Sequence, residues 1–129
     1  MRLEYFQLID RIIDLNLNDL TIRVEANVPT DSTIFEGHFP GRPLMPGVLM
    51  IEAAAQLCSI QYKSRTNEPR FLGFSRCDDV SFRGQVVPGD TLYLLGKEVD
   101  FRARRFIAAC QGMVDDKIVF EATITGMVI

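Results

Sequence analysis

The chain has no tryptophan, a single histidine and only three cysteines. With one imidazole and no C-x-x-C pair, it lacks the ligands of a zinc centre. Cys58, Cys77 and Cys110 are odd in number and widely spaced, which argues against a secreted disulfide framework and for reduced thiols in the cytoplasm. A basic excess is also missing: 17 acidic side chains outnumber 14 basic ones, so the chain is not built to coat nucleic acid. No repeat, low-complexity tract or Ser/Gly linker interrupts the 129 residues, and that length suits one domain spanning 1–129. The glycines fit neither G-x-G-x-x-G nor a P-loop, and no serine lies in a G-x-S-x-G context. The N-terminal stretch MRLEYFQLIDRIID carries Glu4, Asp10 and Asp14, which break any secretory apolar segment.

One long weakly charged run is present. Residues 43–62, PLMPGVLMIEAAAQLCSIQY, carry a single charge, at Glu52. Two prolines, a glycine, two glutamines and that carboxylate exclude a bilayer span and favour a helix buried inside the domain. The helix is expected to begin at Pro46–Gly47, where proline presets φ, and to run to about Lys63. Its side chains are apolar nearly all round, as in a core helix. Ahead of it lies a stiff loop, EGHFPGRPLMPG, residues 36–47, with three prolines and three glycines.

Elsewhere the pattern is strand-like. Residues 20–28, LTIRVEANV, alternate with Leu20, Ile22, Val24, Ala26 and Val28 on one face. Periodicity alone leaves residues 5–15 open between helix and strand. After Pro69, strands are expected at 70–75, 79–87, 91–99, 104–114 and 117–128, the last two forming a hairpin about Asp115-Asp116. One buried helix with a run of antiparallel strands reads as α+β, a sheet curling around the helix.

Two residues stand out chemically. His38 is the only histidine and lies in the stiff loop; Glu52 is the only charge in the apolar helix. A lone loop histidine is more often a turn residue bonded to nearby backbone, and a helix carboxylate often simply finds an arginine. Together, however, they suggest acid–base chemistry. A carboxyl removed from water favours its proton-donating form, while a neutral imidazole accepts a proton near pH 7. Between them the helix starts at Gly47 and Val48, whose amides lack intrahelical acceptors and sit at the positive end of the helix dipole. Those amides suit an oxyanion. Base, acid and oxyanion site fit removal of a proton next to a carbonyl.

The stretch FEGHFPGRPLMPGVLMIEAAAQ (residues 35–56) closely resembles the signature of the FabZ-type β-hydroxyacyl-[acyl carrier protein] dehydratases, G-H-F-P-x-x-P-x-x-P-G-V-L-x-x-E-A-x-A-Q. FRGQVVPGD (residues 82–90) is similar to the family's F-x-R-P-V-V-P-G-D, and FQLIDRIIDL resembles its first strand. The resemblance spans roughly residues 5–125. It implies a hot-dog fold, an antiparallel sheet around one central helix. It also implies a homodimer, in some members a trimer of dimers, with His38 of one subunit meeting Glu52 of the other. His38 is then the base at C2, Glu52 the group delivering a proton to the leaving hydroxyl, and Gly47 and Val48 the carbonyl site. No cofactor, metal, nucleic acid or membrane insertion is implied. The partner is an acyl carrier protein bearing a 3-hydroxyacyl chain.

Arginines in the basic stretch 63–105, notably Arg83, Arg102, Arg104 and Arg105, are candidates for docking an acidic carrier. Departures from the pattern matter. Gly84-Gln85 stand where the family usually has Arg-Pro. An N-terminal helix and Pro-His-Arg segment are missing, so the tunnel mouth is expected to differ. Glu52 stands where the related dehydratase–isomerase branch has aspartate, which speaks against isomerisation. These changes suit a specialised member serving a dedicated carrier. Competing readings are a hot-dog acyl thioesterase, a hydratase of coenzyme A esters, or a non-catalytic acyl-carrier-binding subunit.

Overall fold

A computed structural model describes residues 8–29, 44–67, 69–70 and 72–129. Among the described residues, six strands form one antiparallel sheet and one helix packs on it. In chain order they are β1 (Arg11–Asn16), β2 (Thr21–Asn27), α1 (Gly47–Arg65), β3 (Leu72–Phe82), β4 (Thr91–Phe101), β5 (Arg105–Val114) and β6 (Lys117–Val128). The order across the sheet is β1-β2-β4-β5-β6-β3, leaving β1 and β3 as its edges.

The helix begins where Pro46, with φ −58°, sets its first turn, and no side chain caps it. It ends at Thr66, which turns extended just before Asn67. Lys63 and Arg65 occupy the last turn, where positive charge complements the dipole. Its length of 19 residues corresponds to about 28 Å. Ala53, Ala54 and Leu57 are fully buried, and the small pair lets the helix lie close to the sheet. The helix is not apolar-buried all round, as its composition suggested: Val48 is 71 % exposed at the N-terminal end.

The sheet's inner face carries Ile22, Val24, Leu92, Leu94, Phe106, Ala108, Cys110, Phe120, Ala122 and Ile124, all buried. Alternation in β2 places Ile22, Val24 and Ala26 in the core as expected. Leu20, by contrast, leaves the strand with φ 59° at the end of the β1–β2 turn. At the helix's C-terminal end Tyr62, Phe101 and Phe106 form an aromatic group with centroids 5.7–5.9 Å apart. There Arg65 pairs with Glu98 and lies over the Phe101 ring.

The strands expected at 70–75 and 79–87 are in fact one strand, β3, and residues 83–87 belong to no strand. Two irregularities in the pairing with β6, at Phe74/Arg76 and Asp78/Ser81, let β3 continue past the apparent break. Asp79, with φ 53°, supplies the second. The β5–β6 hairpin turns on Asp115 and Asp116 as expected; both have positive φ, the twist a two-residue hairpin requires.

Candidate active site

The two sequence motifs meet at the N-terminal end of α1. Met45 N–H donates to the Val86 carbonyl at 2.7 Å, tying the approach to the helix to the 82–90 segment. That segment is held in turn by Val28 and Gly89, which exchange backbone bonds with Asp90 and Val28 at 2.9 and 3.0 Å. The Asp90 carboxylate accepts the Val87 amide at 3.0 Å, closing the Pro88-Gly89 turn.

Hydrogen bonding within the helix begins when Leu49 and Met50 donate to the Pro46 carbonyl at 3.0 and 3.4 Å. The Gly47 and Val48 amides precede any acceptor the helix can offer. Above Gly47 lies the ring of Phe82, and a Cβ at position 47 would stand 2.8 Å from its Cζ. Any side chain at position 47 would have to push that ring aside.

Glu52 sits about 7.5 Å further along the helix axis. It is partly buried rather than sealed in the core. Its Oε1 accepts a hydrogen bond from Gln56 Nε2 at 3.2 Å, and Gln56 Oε1 accepts the Leu8 amide at 2.9 Å. Gln56 was part of the matching motif but received no role from the sequence; its spacing of four from Glu52 on a helix was the signal. His38, with Gly37, Phe39, Pro40 and Pro43, lies outside the described residues.

The four arginines fall into two groups. Arg83 follows Phe82 and donates from Nε and Nη2 to Glu121 at 3.0 and 2.8 Å. With Gln111 also donating, the Arg83 guanidinium holds the Glu121 carboxyl below its ordinary range. Arg102 and Arg105 instead flank Asp100 at 3.1 and 2.9 Å, and hydrogen bonding from Arg105 lowers that carboxyl in the same sense. Arg104 is exposed in the same hairpin. Glu121 pairs with Gln111, six residues along β5 from Arg105, which separates the groups by about 20 Å. Arg83 is at the Gly47 end; the other three are near the helix's C-terminal end.

Gly84, in the place of the family's arginine, lies against β6. A Cβ there would be 2.9 Å from Val119 Cγ1, and Arg83 and Gly84 both donate to the Val119 carbonyl. Beside it an open cleft of about 330 Å³ is lined by Arg83, Gln85, Asp90, Asp115 and Lys117 among others.

The cysteines converge from α1, β3 and β5. Burial pushes the Cys58 thiol up to about 12 and raises Cys110 further, with Cys58 and Cys77 adding to the effect. Among the described residues no group of three His, Cys, Asp or Glu side chains is arranged to hold a metal ion. Nor is any helix among them long and apolar enough to cross a membrane.

Residues 2–123 match the FabA-like domain. The 3-hydroxyacyl-[acyl-carrier-protein] dehydratase FabZ of Campylobacter hominis is 37 % identical over 127 residues, covering 95 % of this chain and 87 % of that one. That of Lawsonia intracellularis is 36 % identical over 124 residues, covering 93 % and 80 %. Among solved structures, the dehydratase heterocomplex ApeI:P from Xenorhabdus doucetiae superposes with a TM-score of 0.76 at 13 % identity, covering 96 % of this chain and 84 % of that one. This last likeness is one of fold.

Proposed function

The chain belongs to the FabA-like domain family, and we propose that its reaction is the one its FabZ relatives are named for: dehydration of a 3-hydroxyacyl chain on an acyl carrier protein, in fatty acid biosynthesis. The observation that carries this reading is Glu52 fixed by Gln56 just inside a helix whose first two amides, Gly47 and Val48, have no helical acceptor.

In the proposed mechanism the thioester carbonyl accepts hydrogen bonds from one or both of those amides. Negative charge grows on that oxygen as the C2–H bond breaks, and preorganised amides bind it more strongly than the ground-state carbonyl. His38 takes the C2 proton. Glu52 delivers a proton to the 3-hydroxyl, the C3–O bond breaks, the electron pair from C2–H becomes the C2=C3 double bond, and water leaves. Nothing in this sequence of steps needs a metal or cofactor.

The proposed assembly is a homodimer in which His38 of one subunit serves Glu52 of the other, with further association of dimers. Support comes from β3: among the described residues it is an edge strand of 11 residues with no strand paired on one side and a half-exposed Phe74, a surface suited to strand pairing. Arg83, on the Gly47 side, is the proposed contact for the acidic carrier. Arg102, Arg104 and Arg105 form a second basic cluster at the far end. Three free cysteines suit the cytoplasm as the compartment.

The test supplies a (3R)-hydroxyacyl-carrier thioester to the purified protein and follows the enoyl thioester by mass spectrometry. Turnover lost in both His38→Ala and Glu52→Gln, with melting temperatures unchanged, is the expected result. Release of free thiol in place of enoyl product overturns the proposal in favour of thioester hydrolysis.

A further inference from the structure

Phe82 is unusual among the large apolar side chains. It is 50 % exposed, yet its ring is held on two sides. It stacks on fully buried Phe120, with centroids 5.5 Å apart and planes inclined by 30°. Its edge closes over Gly47, where Cζ and Cε1 stand 2.8 and 2.9 Å from the place a Cβ would take. The backbone just after it is pinned by the Arg83 amide donating to Val119 at 2.8 Å. An aromatic ring with a firm backing and open surface thus lies against the first residue of α1.

We infer that Phe82 is a specificity-determining residue: its ring is the wall beside the bound thioester and limits what C2 of the acyl chain can carry. This rests on the reading that the Gly47 and Val48 amides receive the carbonyl. An oxygen held by the Gly47 amide lies about 2.9 Å from its nitrogen. The carbonyl carbon is about 1.2 Å beyond that oxygen, and C2 one further bond away. Those atoms fall within the reach of a ring already in van der Waals contact with the same residue. A hydrogen at C2 fits such a wall, whereas a methyl group competes with it for volume. The ring also displaces water from the side of the developing oxyanion, where amide hydrogen bonds gain strength as the local dielectric falls.

The experiment compares wild type, Phe82→Leu and Phe82→Ala with two substrates on the same carrier: a (3R)-hydroxyacyl thioester and its 2-methyl analogue. The readout is the ratio of their kcat/KM values. A methyl group in a close-fitting apolar site is worth about 10–200-fold in discrimination. We expect wild type to favour the unbranched substrate, Phe82→Ala to lower the preference about tenfold or more, and Phe82→Leu to fall between. Gly47→Ala, which forces the ring aside, is expected to lose turnover, and Phe82→Ala in that background is expected to restore part of it. A ratio unchanged in both Phe82 variants, with wild type active, overturns the inference and leaves the dehydratase reading standing. Wild type that dehydrates neither substrate overturns both.

Discussion

Gln56 holds Glu52 from one helical turn away, donating to Oε1 at 3.2 Å while its own carbonyl is occupied by the Leu8 amide at 2.9 Å. A glutamine amide presents both a donor and an acceptor, and the Leu8 contact determines which end faces the carboxylate. The orientation of Glu52 therefore depends on Leu8, which lies 48 positions from Gln56 in the chain. Gln56→Ala is expected to lower kcat by roughly ten- to a hundredfold, the scale of a misplaced catalytic group. KM should change far less. Steady-state kinetics with a melting curve on the same sample check this; lower stability with full turnover per folded molecule would mean that Gln56 only braces the fold.

Arg83 offers a test of carrier docking that separates it from chemistry. Arg83→Ala is expected to raise KM for a carrier-bound substrate several-fold, an effect that shrinks as salt screens the interaction. The same variant acting on a short thioester lacking the carrier should match wild type. Equal losses on both substrates would place Arg83 in the fold or the active site instead.

Acid should loosen the outer face of the sheet. The Glu121 and Asp100 carboxyls are both held low, by Arg83 and Arg105 respectively. In the unfolded chain these groups bind protons at ordinary carboxylate values, near pH 4, while the folded chain resists protonation until lower pH. The unfolded state therefore binds more protons in that window and stability rises with pH there. It is complete above about pH 4 and lost as pH falls through the lowered folded values. Melting temperatures measured from pH 6 to pH 2.5 are expected to fall less steeply for Glu121→Gln than for wild type.

The thiols should respond to the fold. Cys58 and Cys110 are buried, and Cys58 is pushed up to about 12, so neither offers thiolate near pH 8. Cys77 is half-buried on β3 and raised by burial and by the charge of Asp78. An aromatic disulfide reagent at pH 8 is expected to titrate at most one thiol per native chain, slowly, and all three in denaturant. Rapid reaction of two or more native thiols would contradict this packing.

The helix was legible in the sequence because its determinants are local. Pro46-Gly47 fixes its start, the near absence of charge marks it as buried, and an extended Thr66 ahead of Pro69 stops it. The β5–β6 hairpin was legible for the same reason, since alternation on both sides of Asp115-Asp116 leaves one register. Strand β3 was divided wrongly because a bulge is defined by the partner strand. Nothing within residues 72–82 says that β6 will carry the pairing past Asp79.

At the site, Glu52, Gly47 and Val48 were marked by residue type and position alone: a single charge in an apolar helix, and the first amides of that helix. What surrounds them was decided by tertiary structure. The grip of Gln56 depends on Leu8, the ring over Gly47 arrives from β3, and the four arginines divide because their strands run to opposite ends of the sheet. Sequence patterns specify which face of an element is buried and where its backbone groups lack partners. Which side chains then meet depends on the crossing of helix and sheet, a property of packing between segments far apart in the chain.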